Sequence, residues 1–93
     1  MQVRWSPRAE SDFDTLFAYI ASDNESAAVR QARLILAATR QLAKFPDSGR
    51  LTKVRRTREL VVPGTPYIIR YNLNKEAVEL ISITHGARRS ARR

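Results

Sequence analysis

The stretch Arg58 to Tyr71, RELVVPGTPYIIRY, decides the fold class, because the apolar pattern there takes on the alternation of strands. "RELVV" (Arg58 to Val62) and "YIIRY" (Tyr67 to Tyr71) are short and rich in β-branched and aromatic residues. Pro63-Gly64-Thr65-Pro66 between them is too short for a crossover helix, so the two strands read as antiparallel neighbours. In the second strand, alternation puts Tyr67, Ile69 and Tyr71 on one face. Ile68 and Arg70 take the other face, unless a bulge intervenes. After a second short connection, Asn72 to Ala77, "VELISI" (Val78 to Ile83) supplies a third strand.

Upstream of this meander the period is helical. Ala9, Phe13, Leu16, Phe17 and Ile20 fall on one helical stripe, introduced by a Ser6 cap and by Pro7 at the first helical position. Glu10, Asp12 and Asp14 crowd the early turns, where negative charge complements the helix dipole. This helix ends near Ala21 or Ser22. Asp23 or Asn24 caps a second helix running from about Glu25 to Lys44, with Val29, Ala32, Ile35, Leu36, Thr39, Leu42 and Ala43 along its apolar stripe. So short a joint makes the two helices an antiparallel hairpin. Phe45-Pro46-Asp47-Ser48-Gly49 breaks the helical pattern. "MQVRW" at the start reads as a strand with Val3 and Trp5 on one face. The expectation is an α+β domain: an N-terminal strand, then a helical hairpin packed on one face of a small, mostly antiparallel sheet. The opposite face must be justified by a ligand, a partner or charge. Trp5, Phe13, Phe17 and Phe45 are expected in the core.

The 93 residues match a single domain spanning 1–93, with 89–93 expected as a flexible basic tail. Without cysteine and with one histidine, the chain lacks the makings of a disulfide or a zinc site, and nothing calls for a cofactor. No apolar run reaches membrane-spanning length, and a cytoplasmic location is expected. The net charge of +8, from 17 basic and 9 acidic residues, favours an anionic partner. The positive charge is clustered, at Lys53, Arg55, Arg56 and Arg58 and again at Arg88, Arg89, Arg92 and Arg93.

"WSPRAESDFDTLFAYIASDN", "LAKFPDSGR", "RELVV", "PYIIRY" and "ISITHGAR" resemble, in order, the RelE/ParE superfamily of bacterial toxins, with the ParE-like branch most similar. The likeness runs from Val3 to Arg88. It implies the growth-inhibiting half of a type II toxin–antitoxin pair that stabilises a plasmid or chromosome. The toxin is neutralised by an acidic or amphipathic antitoxin and reaches operator DNA only through it. The ParE-like branch implies inhibition of DNA gyrase and replication. The RelE-like branch implies instead a metal-independent endoribonuclease acting on messenger RNA at the ribosome.

The two branches put different demands on the residues. RNA cleavage needs a base, an acid and positive charge on the phosphorane. The candidates are Arg58, where RelE-like nucleases carry a catalytic arginine by resemblance, with Arg70, His85 and Arg88. The plainer reading has His85 as a turn residue before Gly86 and Arg58 paired with a glutamate such as Glu59 or Glu79. No second histidine or C-terminal tyrosine completes an acid–base pair. Under the gyrase reading, Lys53, Arg55, Arg56, Arg58, Arg88 and Arg89 grip the target. A groove at Ala28, Val29 and Ala32, with Arg56 and the open edge of the sheet, receives the antitoxin.

Overall fold

The computed structural model describes residues 1–87. Seven elements follow one another: β1 (Gln2–Trp5), α1 (Pro7–Ala21), α2 (Glu25–Lys44), β2 (Arg50–Leu51), β3 (Thr57–Val61), β4 (Tyr67–Leu73) and β5 (Ala77–His85). The strands form one sheet in the order β1-β5-β4-β3-β2. The meander is antiparallel, as its short turns require, and β1 lies parallel to β5 with Trp5 opposite Leu80.

Each helix begins where its cap stands. The Ser6 hydroxyl accepts from the Ala9 N–H at 3.0 Å, and the Asn24 side chain accepts from the Ala27 N–H at 3.0 Å. The hairpin lies on the sheet face that carries Tyr67, Ile69 and Tyr71, and these join Leu16, Ile35, Leu42, Val78 and Leu80 in the core. Trp5 packs edge-on against Phe13, with ring centroids 5.6 Å apart, at the margin of that core. Phe17 is half-buried. Phe45 departs from expectation: it caps the C-terminus of α2 with non-helical dihedrals, leaves the apolar stripe, and stands 59% exposed.

Asp12 does more than complement a dipole. Strand β1 ends opposite Leu80, so β5 runs on past it without a strand neighbour on that side. The Ser6 cap and one α1 side chain take over its backbone groups. Ser6 Oγ donates to the Ile81 carbonyl at 3.0 Å, and Asp12 Oδ2 accepts from the Ile83 N–H at 2.9 Å. Asp12→Ala would leave that part-buried N–H unsatisfied. It is expected to cost about 2 kcal/mol, read as a lowered urea midpoint at unchanged m-value.

The face away from the helices is covered by charge. Arg50, Glu59, Arg70 and Ser82 stand opposite one another across four strands, as do Thr57, Asn72, Glu79 and Arg4. Arg50 pairs with Glu59 at 3.7 Å, Arg4 with Glu79 at 3.6 Å, and the Thr57 hydroxyl bonds Asn72 at 2.9 Å. A register shift between Arg70 and Tyr71 accommodates an extra β5 residue, and Arg70 keeps its place on this face.

Candidate functional site

The four nuclease candidates do not converge. Arg58 lies opposite Tyr71, on the helix-bearing face. Its Nη1 donates to the carbonyls of Asp47 at 3.0 Å and Gly49 at 2.7 Å. The expected partners, Glu59 and Glu79, are engaged by Arg50 and Arg4 instead. The physical reason is alternation: adjacent strand residues point to opposite faces, so Glu59 cannot share a face with Arg58. Tyr71 completes the same fastening. Its hydroxyl donates to the Pro46 carbonyl at 2.8 Å and accepts from the Gly49 N–H at 2.9 Å. Burial raises the Tyr71 pKa, against the lowering pull of the Gly49 N–H and the Arg58 charge. Arg58 and Tyr71 thus secure the 46–49 loop.

Arg70 lies on the opposite face, between Glu59 and Ser82, with its Nε buried and without a hydrogen bond among the described residues. His85 sits at the end of β5, edge-on to Tyr67 with centroids 5.5 Å apart. Its Nδ1 accepts from the Ala87 N–H at 3.1 Å, which requires that nitrogen unprotonated. His85 faces Tyr67 and Arg58 faces Tyr71, four residues along β4 and on opposite edges of that strand, so the two side chains start about 16 Å apart. Arg88 and Arg89 lie outside the described residues. No group of three or more histidine, cysteine, aspartate or glutamate side chains able to hold a metal occurs among the described residues.

Lys53, Arg55 and Arg56 occupy the connection between β2 and β3, all exposed and without a side-chain partner among the described residues. Thr52 pins that connection: its hydroxyl donates to the Thr57 carbonyl at 3.1 Å and accepts from the Val54 N–H at 3.1 Å. The geometry requires a left-handed residue, and Arg56 takes it with φ 61°. Arg56→Gly removes about 1 kcal/mol of that strain and returns part of it as chain entropy. The melting temperature is expected to hold or rise, whereas Arg56→Ala should show no such gain.

The helix hairpin offers no groove at Ala28 and Ala32. Both are buried, at 0% and 8% exposure, and Val29 alone of that trio reaches the surface. The sequence reading passed over Arg30, Arg33 and Arg40, which line an outward surface of α2 with Val29, Leu34 and Ala37. Their spacing on one helical stripe was the available signal. A separate cleft of about 480 Å³ lies between α1 and the end of β5, lined by Asp12, Leu16, Tyr19, Tyr67 and His85 among others.

Residues 3–90 match the family described as ParE toxin of type II toxin-antitoxin system, parDE. The chain is 39% identical over 85 residues to Y4kP of Sinorhizobium fredii, covering 91% of this chain and 88% of that protein. It is 37% identical over 87 residues to Toxin RelE2 of Caulobacter vibrioides, covering 94% and 97%. Its fold is that of a chain in the chromosomal ParDE TA system from P. aeruginosa, with a TM-score of 0.81, 17% identity and coverage of 91% and 95%. With the strand order, the helical hairpin and these matches in hand, the chain belongs to the ParE toxin family within the RelE/ParE superfamily, as the toxin of a type II toxin–antitoxin system.

Proposed function

We propose that this toxin acts in the cytoplasm by gripping DNA gyrase and blocking replication, and that a cognate antitoxin holds it inert. The observation that carries the reading is the contrast between its charged groups. Arg58 and His85 are engaged with backbone groups and stand far apart. Lys53, Arg55 and Arg56 project freely from a pinned turn. Free, clustered cations suit attachment to an anionic or acidic surface. Arg88 and Arg89 extend this grip, and operator DNA is reached through the antitoxin. Among the described residues no helix is long and apolar enough to cross a membrane.

The test is His85→Ala in a folded chain. As the last residue of β5, packed on Tyr67 and bonded only to the Ala87 N–H, His85 should be dispensable for the grip, and gyrase inhibition is expected to stay within about threefold of wild type. Loss of toxicity in that variant, together with wild-type cleavage of ribosome-bound messenger RNA, would overturn the proposal in favour of the RelE-like endoribonuclease.

A further inference from the structure

Helix α1 carries more than its core stripe. Asp12, Thr15, Leu16 and Tyr19 recur at helical spacing and line one wall of the 480 Å³ cleft beside the end of β5. Tyr67, Ile83 and His85 line the other wall. Leu16 and Ile83 belong to the core, so folding accounts for them. Folding does not account for Tyr19, which stands 78% exposed and has no side-chain partner among the described residues.

The polar atoms of the cleft still have hydrogen bonds to make. Asp12 Oδ2 accepts from the Ile83 N–H and lies 3.5 Å from Arg8 Nε, whereas Oδ1 has no hydrogen bond among the described residues. The Thr15 hydroxyl has none either. The Ala87 N–H makes His85 Nδ1 the acceptor, so the neutral ring carries its proton on Nε2. That N–H has no acceptor among the described residues. The Ile83 N–H held by Asp12 and His85 are two residues along β5, about 7 Å. An acceptor and a donor thus flank a cleft with an aromatic side chain on each wall.

This chemistry selects a flat ligand with a polar edge. An apolar helix would leave Asp12, Thr15 and His85 unsatisfied. An organic cation would approach a chain of net charge +8, with Arg8 already beside Asp12. A nucleobase has a π-face to stack on tyrosine and carries both donors and acceptors on its edge. The phosphates of its strand are drawn by the same positive charge that repels a cation. We infer that the cleft between α1 and the end of β5 takes one unstacked nucleobase of single-stranded DNA. The base stacks on Tyr19 and bonds Asp12 and His85 through its edge. The inference rests on the gyrase reading only for the source of the strand. A base at an opened or broken duplex has already lost its neighbour, which lowers the cost of capturing it.

The experiment titrates the full chain, without gyrase, into a short labelled single-stranded DNA at about 0.15 M salt. The comparison strands are an abasic oligomer with the same phosphates, the matching duplex and the matching RNA. Intact single-stranded DNA is expected to bind about tenfold tighter than the abasic oligomer. Tyr19→Ala should abolish that difference while leaving abasic binding and the melting temperature as in wild type. His85→Ala removes one hydrogen bond and leaves the stack, so a loss of about threefold is expected. Equal affinity for the intact and abasic strands would reduce the binding to phosphate attraction and overturn the inference. Duplex bound as tightly as single strand, or a Tyr19→Ala chain that keeps its preference for bases, would overturn it too. RNA bound more tightly than DNA would overturn the assignment to DNA. Each of these failures leaves gyrase inhibition untouched, because gyrase is absent from the titration.

Discussion

Gly49→Ala is expected to lower stability by about 3 kcal/mol, because the added methyl group has no room beside Tyr71. A β-carbon there would stand 2.5 Å from the Tyr71 hydroxyl, 2.7 Å from Cε1 and 2.9 Å from Cζ. Tyr71 cannot swing aside. It is wholly buried in the core, its hydroxyl is bonded on both sides, and its strand is paired on both edges. The loop cannot retreat either, because Arg58 holds the Gly49 carbonyl. For a domain of this size the loss corresponds to a fall in melting temperature of about 12–24 °C. Tyr71→Phe removes the nearest atom but also both hydrogen bonds, so alone it should cost about 1–2 kcal/mol. Combined with Gly49→Ala it should cost less than the sum, because the variants act on one contact. The same tyrosine gives an alkaline signature. Its pKa is raised in the folded chain, so the folded state holds its proton more tightly and stability falls as pH climbs past about 10. Tyr71→Phe should flatten that decline. A Gly49→Ala chain melting within 3 °C of wild type, as an order-of-magnitude threshold, would contradict the fastening.

The largest functional effect is expected from reversing the free cations together. Lys53→Glu/Arg55→Glu/Arg56→Glu should reduce gyrase inhibition about 100-fold, equivalent to roughly 2.7 kcal/mol of lost binding. All three side chains are exposed and unpartnered among the described residues, so folding should be spared, as circular dichroism and melting would show. Arg58→Glu is the instructive contrast. It breaks the hold on Asp47 and Gly49, so its loss of activity should come with loss of stability. Inhibition by the wild-type chain should also weaken as salt is raised from 0.05 to 0.3 M (order-of-magnitude limits), because exposed charges are screened over about a Debye length. Triple-reversed chain that inhibits gyrase like wild type would remove the cationic turn from the account.

The fold was legible wherever one residue pattern had one geometrical solution. Asn24 and the Lys44-Phe45-Pro46 break delimit α2, and Tyr67, Ile69 and Tyr71 alternate onto the buried face as the sequence requires. The partner of β1 was not legible, because Val3 and Trp5 define a face and not a neighbour. Its place beside β5 follows from a contact across some 75 residues. Strand β2 is too short, at two residues, to show alternation. Phe45 misled because its chemistry is that of a core residue, whereas its position at a helix end turned it outward. The candidate site was legible as composition and not as arrangement. The cluster Lys53 to Arg58 was visible, but it divides into three free cations and one arginine that braces a loop. Ala28 and Ala32 showed that the hairpin packs closely, and close packing is what closes a groove between helices.

Everything functional turns on whether this scaffold works by holding its target or by moving protons. The most direct measurement incubates purified wild-type chain in parallel with gyrase on relaxed closed-circular DNA and with ribosomes carrying messenger RNA. The account predicts inhibited supercoiling and accumulated DNA breaks in the first reaction, with intact message in the second. Cut message alongside fully active gyrase would contradict it.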